Sequence, residues 1–179
     1  MINYKNHNQQ QLFSQWEQFS PKRLEMLEQS WAGLFQEEIL PVLPVKKFAS
    51  NFHKSMGRPT KELNTCLGVA LFQQIFDLTD KETQEQLAFN QQWHYALNIP
   101  KDKDELKYLS LKTIWNTRHL IIKNDLASEI FEAIGDKLAE VFNVDTEKQR
   151  IDSVHIESNM RTLGRIGIIV ETNKKFIRN

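Results

Sequence analysis

Apolar residues recur at helical spacing along most of this chain, and capping residues mark where successive helices begin. Thr79 with Glu82 three residues later forms a capping box, and Ser20 followed by Pro21 is typical of a helix start. Ser110 can cap a further helix in the same way. The pattern therefore predicts a mainly α-helical fold, with about five or six helices before the helical spacing is interrupted near the C-terminal end.

Each predicted helix carries its own apolar stripe, which we expect to face the core. Thr60 is the expected cap of the second helix, Cys66 is expected to be a small core residue, and Pro41 and Pro44 are expected to end the first helix. The predicted stripes are Leu24, Leu27, Trp31, Leu34 and Phe35; Leu63, Leu67, Leu71 and Ile75; Thr83, Leu87 and Ala88; Leu111, Ile114, Trp115 and Leu120 or Ile121; and Leu126, Ile130, Ile134, Leu138 and Val141.

Composition narrows the class of protein. The single cysteine rules out a disulfide framework and a thiolate zinc site, and no apolar run approaches the length of a membrane span. The N-terminus lacks the apolar core of a signal peptide, so we expect a cytoplasmic protein without a membrane partner. A formal net charge of zero argues mildly against nucleic-acid binding as a whole-chain property.

The charges are nevertheless unevenly distributed. Residues 105–123 carry a surplus of +3, whereas residues 124–147 carry −6. Two helices with unlike charges, both solvated, would give this pattern, and so would a DNA-binding helix followed by an acidic one. The second possibility matches a helix-turn-helix pair at 80–89 and 111–122, although the connection is far longer than the usual tight turn. Its outward-facing residues would be Lys112, Thr113, Asn116, Thr117 and Arg118, because Asn can pair with adenine and Arg with guanine.

A short β-branched run, Ile151 to Ile156, is the one strand signal, and it contains Asp152. Helical spacing resumes beyond it, which predicts a terminal helix. A carboxylate on a strand can hold a divalent metal ion, but a two-metal site needs several acids. Glu157 would project to the opposite face of the strand, so the spacing by itself favours a structural role for Asp152. The histidines show no metal-ligand spacing.

Several ordered motifs resemble one known family. The segment 149–167, with Asp152-Ser153-Val154-His155 at its start, closely resembles a stretch of bacterial insertion-sequence transposases of the DDE type. The segments 57–60, 78–87, 93–97 and 111–118 look like landmarks of that family's N-terminal helical domain. The resemblance covers roughly residues 48–179.

The resemblance implies two domains and a site for each. Residues 1–147 would be the helical DNA-binding domain, which binds double-stranded DNA at the terminal inverted repeats of a mobile element. Residues 148–179 would begin a ribonuclease-H-like catalytic core. Asp152 would be the first acid of the catalytic triad and a ligand of Mg²⁺. The DNA-binding candidates are Lys112, Thr113, Asn116, Arg118 and Lys123.

No residue of this sequence can take the roles of the family's second Asp and its Glu. We therefore expect a truncated transposase fragment that binds element ends, does not catalyse strand transfer, and does not hold Mg²⁺ stably. The alternative from another class is a helical interaction module, either a homodimer through the aromatic-rich stretch 24–39 or a partner that inhibits intact transposase. A nonfunctional remnant that merely folds is the third possibility.

Overall fold

The computed structural model describes residues 2–3 and 14–144, and over these residues the chain is mainly helical and contains no strand. The α-helices are α1 (Pro21–Glu28), α2 (Trp31–Leu34), α3 (Val45–Ala49), α4 (Leu63–Ile75), α5 (Asp80–Phe89), α6 (Gln91–Ala96), α7 (Asp104–Lys107), α8 (Leu111–Lys123) and α9 (Leu126–Val141). The mainly α-helical prediction is confirmed. The predicted strand at Ile151–Ile156, the terminal helix and the boundary at 147/148 lie outside the described residues.

Helix α4 forms the centre of the core, because α3, α5 and α8 all pack against it. Leu67 and Phe72 are fully buried, and Leu63 is nearly so. The predicted stripe is too narrow, since α4 buries residues on almost every side. It is also wrong at its end, where Ile75 is 64% exposed. A helix with neighbours on several sides buries more than one face, and no single stripe can represent that.

The cap of α4 is Glu62, which corrects the prediction of Thr60. The Glu62 carboxylate accepts hydrogen bonds from the backbone N–H groups of Asn64 at 3.2 Å and Thr65 at 2.7 Å. These N–H groups lie in the first turn of the helix, where no helical carbonyl can accept from them. The negative charge of Glu62 also interacts favourably with the positive end of the helix dipole. Thr60 instead accepts a hydrogen bond from the backbone N–H of Asn3 at 2.9 Å.

The first predicted helix is divided into two. Ser30 interrupts it and caps α2, accepting a hydrogen bond from the backbone N–H of Ala32 at 3.1 Å. The turn brings α2 so close to the end of α1 that a Cβ on Gly33 would lie 2.0 Å from the carbonyl oxygen of Glu28. Only glycine fits at such a distance. A π-helical turn at Phe35–Ile39 and a 3₁₀ turn at Leu40–Val42 continue the chain towards α3.

Aromatic side chains fasten α2 to the core. Trp31 packs edge-on against Phe72 with ring centroids 5.3 Å apart, and Phe35 approaches the same ring at 4.6 Å. Trp93 of α6 meets Phe72 from another direction at 4.8 Å. Edge-on and tilted arrangements of this kind are favourable for aromatic rings. The aromatic residues of stretch 24–39 thus make internal contacts with α4.

Four helices end in the same way, with an Asn or Asp in the left-handed conformation just after the last turn. These residues are Asp77, Asn98, Asp125 and Asn143, with φ near 50° at each. Asn and Asp tolerate this conformation better than other residues apart from glycine. After Asp77, Asn98 and Asn143 the backbone N–H of the next residue closes the turn, as from Ile99 to the His94 carbonyl at 2.8 Å.

The capping box predicted at Thr79 and Glu82 is confirmed, and so is the end of α5 at Phe89. Leu87 of α5 is fully buried, whereas Phe89 two residues later is 81% exposed.

Leu87→Ala should lower the free energy of unfolding by about 2 to 5 kcal/mol, since it removes buried methyl groups and leaves a cavity. Phe89→Ala on the same helix should change stability by less than about 0.5 kcal/mol. Urea unfolding followed by circular dichroism measures both, and equal effects would contradict this packing.

Candidate nucleic-acid interface on helix α8

Helix α8 begins at the predicted cap, and the residue just before this cap is hydrogen-bonded to α5. The Ser110 hydroxyl accepts a hydrogen bond from the backbone N–H of Thr113 at 3.2 Å, which confirms the predicted cap. The Gln84 side-chain amide on α5 donates to the carbonyl of Leu109 at 2.6 Å. These two bonds fix the direction in which α8 starts.

The inner face of α8 contains Ile114 and Thr117, both buried. Thr117 was expected to face outward, and that prediction is wrong. Its hydroxyl donates to the carbonyl of Thr113 at 2.9 Å, so the polar atom keeps a partner although it leaves water. A threonine satisfied by its own helix can therefore occupy a buried position. Thr113 itself is only half-buried, and its hydroxyl lies 2.9 Å from that of Ser110.

The outer face of α8 is exposed to solvent and mixes basic, amide, aromatic and aliphatic groups. It consists of Leu111, Lys112, Trp115, Asn116, His119, Ile122 and Lys123. Leu111 and Trp115 were expected in the core, but both are about half exposed, so that prediction is wrong for them. The Trp115 ring stacks on the His119 ring one turn later, with centroids 5.2 Å apart and the planes nearly parallel. This stack of side chains one turn apart adds a flat aromatic surface to the outer face.

Arg118 joins three helices. Its guanidinium forms an ion pair with Asp80 at the start of α5 and donates to the Gln73 side-chain oxygen of α4 at 2.9 Å. The Gln73 amide in turn donates to Asp80 at 2.8 Å, so the three side chains close a ring of hydrogen bonds. Hydrogen bonding from Arg118 holds the pKa of the Asp80 carboxyl below its ordinary value, although burial acts against it. Arg118 was expected to face outward, but about two thirds of its side chain is covered in this arrangement.

The charge on α8 is of one sign. Lys112, Arg118 and Lys123 are its charged residues, and it contains no acid. Within residues 2–3 and 14–144, neither Lys112 nor Lys123 forms an ion pair. Lys112 and Lys123 lie at opposite ends of the outer face with Asn116 between them. Such a face can attract a polyanion and offer an amide for hydrogen bonding.

A second basic region was missed in the sequence. We call residues 46–61 the basic segment, because it holds five cations and no acid. Lys47 pairs with Glu129 of α9, and Lys61 donates to the carbonyl of Glu105 at 3.1 Å. Its remaining cations, Lys46, Lys54 and Arg58, are exposed. The signal for this region in the sequence is its uneven charge, as in residues 105–147.

A histidine organises the middle of the basic segment. The His53 Nδ1 accepts hydrogen bonds from the backbone N–H groups of Ser55 at 3.3 Å and Met56 at 2.9 Å. Gly57 follows with a φ of 90°, a conformation that side chains other than glycine rarely adopt. The turn therefore has a defined shape, and Lys54 and Arg58 lie on either side of it.

The metal prediction lies elsewhere in the chain. Asp152 is outside the described residues, and so is any Mg²⁺ site that includes it. Across the part of the chain that the structure describes, no three His, Cys, Asp or Glu side chains are grouped closely enough to hold a metal ion.

Cys66 is buried as predicted, and burial raises the pKa of its thiol to about 12. A thiol protonated to that extent is not a nucleophile at neutral pH.

The described residues form a helical domain in which α8 is a capped helix with an exposed basic face. Comparison with family models identifies the family to which such a domain belongs in this chain. Residues 19–120 match the model described as Transposase domain (DUF772). The match covers more than half of the chain, and the chain belongs to this family. Comparisons with curated proteins and with solved structures gave no match. None of the helices in the described residues is long and apolar enough to cross a membrane.

The ring formed by Arg118, Asp80 and Gln73 makes a prediction about stability. Asp80→Asn should lower the free energy of unfolding by about 1 to 2 kcal/mol, because the part-buried guanidinium loses its charged partner. Arg118→Gln should lower it similarly, and the double variant should cost less than the sum of the two. Urea unfolding of the four proteins gives this coupling. Lys112→Ala, a change to an exposed cation on the same helix, should leave stability unaltered.

The same ring predicts a pH dependence. The pKa of Asp80 in the folded protein lies below the ordinary value of 3.8 that applies when the chain is unfolded. Its contribution to stability is therefore complete above that value and is lost as the pH falls through the lower, folded pKa. The stability difference between the wild type and Asp80→Asn should shrink over this acidic window. A difference that stays constant down to the folded pKa would contradict the role given to Arg118.

Proposed function

We propose that this transposase-family domain binds double-stranded DNA through the outer face of α8. The observation that carries the proposal is that α8 has only cationic charges and presents Lys112, Asn116 and Lys123 to solvent. Lysines neutralise phosphates, and an asparagine side chain can make paired hydrogen bonds with an adenine edge. An exposed α-helix of this composition fits the width of the major groove.

Helix α5 supports α8 in the way that the first helix of a helix-turn-helix supports the second. The Asp80 pair with Arg118 connects α5 to α8, and the Gln84 bond to the Leu109 carbonyl connects α5 to the residues just before α8. The connection between α5 and α8 contains α6 and α7 in place of a tight turn. The similarity to a helix-turn-helix therefore concerns how one helix supports the other, and not the length of the connection. Arg118 contributes as a positioning residue, because its guanidinium is engaged by Asp80 and Gln73.

The DNA that this domain recognises would be the terminal inverted repeats of a mobile element, as the family membership suggests. The helical domain would then recognise the DNA, and the region of Asp152 would belong to the catalytic part of the family's proteins. If Mg²⁺ binds there, it would supply activation of water or a 3′-hydroxyl for attack on a phosphodiester. We propose that this chain alone binds element ends without cutting them. Mg²⁺-dependent cleavage that disappears in Asp152→Ala would overturn that part of the proposal.

The outer face makes the first prediction on DNA. Lys112→Ala and Lys123→Ala should weaken duplex binding on every sequence, and each should reduce the slope of log affinity against log salt by roughly 0.9 if it removes one phosphate contact. Asn116→Ala should lose about 1 to 3 kcal/mol only on the preferred sequence. Fluorescence anisotropy at several salt concentrations measures both effects. Lys22→Ala on α1 and Asp152→Ala are controls that should bind like the wild type.

The basic segment makes a separate prediction. Lys54→Ala with Arg58→Ala should weaken binding to specific and unrelated duplexes by the same factor and lower the salt slope, because exposed cations contact phosphates without reading bases. The matched control is Lys101→Ala with Lys103→Ala, two exposed lysines in a loop that also carries acids. Equal effects from the two pairs would mean that the basic segment acts only through net charge.

A protein-interaction function is the rival proposal, in which the domain associates with intact transposase and inhibits it. The exposed Trp115 and Ile122 favour it, since large apolar side chains on a surface often mark contacts with proteins. Titration of this chain into full-length enzyme, with and without DNA, separates the two. Inhibition that survives saturating DNA would support the rival, and inhibition relieved by added element-end DNA would support competition for DNA.

A further inference from the structure

A cavity of about 350 Å³ lies where the end of α1, helix α2, the π-helical turn at Phe35–Ile39 and α6 come together. We call it the acidic cavity, and its polar lining consists of Glu28, Gln36, Glu37, Tyr95 and Asn98. Helix α2 packs against both α1 and α6, so elements of the folded core supply the walls. A cavity of this volume lies at the lower end of the range found for small-molecule sites.

The backbone at two positions determines the shape of the acidic cavity. Gly33, which also lines it, allows α2 to approach the last residue of α1 closely, and the Glu28 side chain borders the cavity there. Asn98 follows the end of α6 in the left-handed conformation, with a φ of 49°. Side chains on such constrained backbone lose little freedom when a ligand binds, which favours binding.

The wall of the acidic cavity carries negative charge without a balancing cation. Neither Glu28 nor Glu37 forms an ion pair with another residue that the structure describes. The described residues that line the cavity include no Lys, Arg or His. Between Arg23 and Lys46 the sequence contains four acids and no base. Glu28 also ends α1, where the helix dipole is negative and favours a cation.

The two carboxylates act on one point of the cavity, the hydroxyl of Tyr95. Burial raises the pKa of Tyr95, and the charges of Glu28 and Glu37 raise it further. Two carboxylates that both disfavour the same phenolate lie near its oxygen. The Tyr95 ring is held from behind by Trp16, which packs edge-on against it with centroids 5.1 Å apart.

This lining distinguishes between classes of ligand. An anion would meet two like charges, which is unfavourable. A metal ion needs several ligand atoms about 2 to 2.6 Å away. The described residues contain no group of three His, Cys, Asp or Glu side chains that could supply them. An organic cation meets opposite charge and has the size to occupy such a cavity.

We propose that the acidic cavity binds a guanidinium group carried on an alkyl stem. Five groups of the wall can accept hydrogen bonds: the carboxylates of Glu28 and Glu37, the Tyr95 hydroxyl, and the side-chain oxygens of Gln36 and Asn98. A guanidinium has five N–H donors in one plane and can bind a carboxylate through two parallel hydrogen bonds, whereas an ammonium has three donors. The group can come from a free guanidino compound or from an arginine side chain of a protein. This site does not depend on DNA binding by α8.

The test is an NMR titration with N-acetyl-arginine amide, whose guanidinium is its only charge. The backbone amide signals of Gly33 and Asn98 should shift with saturation, at a dissociation constant of about 1 mM or tighter. N-acetyl-citrulline amide has nearly the same shape without the charge and should cause no saturable shift. Nα-acetyl-lysine amide should bind several-fold more weakly, because it has fewer donors. All titrations are made at one salt concentration.

Substitutions in the wall should weaken binding of the arginine derivative without changing its shape. Glu28→Gln and Glu37→Gln should each weaken it at least about tenfold, because each removes a charge-assisted hydrogen bond. Asn98→Gly should weaken it about threefold and keep the turn, since glycine adopts the left-handed conformation readily. The matched control is Glu132→Gln with Asp136→Asn, which removes two charges from exposed positions of α9 and should bind like the wild type.

A short unstructured peptide that contains one arginine distinguishes the two sources of the group. Binding at least about tenfold tighter than that of the arginine derivative would identify an arginine of a protein partner, because neighbouring peptide groups then add contacts. Equal affinity would identify a free guanidino compound. Both results support the guanidinium site.

Four results would overturn the proposal. The first is the absence of a saturable shift at Gly33 and Asn98 up to about 10 mM of the arginine derivative. The second is an equal response to the citrulline derivative, and the third is equally tight binding of the lysine derivative. The fourth is a loss of affinity in the α9 control as large as that in Glu28→Gln, since only net charge would then matter.

Discussion

Burial of α4 is the constraint on which the other helices depend. Phe72 alone receives Trp31, Phe35 and Trp93 from three directions, and Gln73 extends the contact to α5 and α8. A central helix with few solvent-facing positions obliges its neighbours to supply apolar surface on every side. Each neighbouring helix therefore packs one face against α4. Its other face does not contact α4, and the residue composition of that face differs from helix to helix.

The connection between the core and the proposed DNA-binding surface is polar. Arg118 lies on the flank of α8 between its buried and exposed faces, where a guanidinium can reach both α4 and α5. A bidentate pair with Asp80 restricts rotation of α8 about its own axis more than an apolar contact would, because two hydrogen bonds define a direction. The direction in which Lys112 and Asn116 project is thus set by residues that need not touch DNA.

Local signals in the sequence were sufficient for the helices with strong caps and insufficient where tertiary contacts decide. The capping residues Thr79 and Ser110 and the stripe of α9 were predictable, because cap chemistry and period depend on near neighbours. The break at Ser30 and the close approach at Gly33 were not, since both depend on how α2 meets the end of α1. On α8 the period could not tell the buried Thr117 from the exposed Trp115, because a threonine that bonds its own helix hides its polarity. The role of Arg118 needed Asp80, thirty-eight residues away.

The buried face of α8 contributes to folding, and its outer face is the surface proposed to recognise DNA. Substitutions at Ile114, Thr117 or Arg118 act on packing or on the ring with Asp80, so selection for a stable fold restricts them. Substitutions at the outer positions, such as Asn116 or His119, leave the core untouched. If the outer face reads DNA, its preference can drift with the ends of the element that it serves while the scaffold stays constant. A single helical architecture can in this way accompany many unrelated terminal sequences.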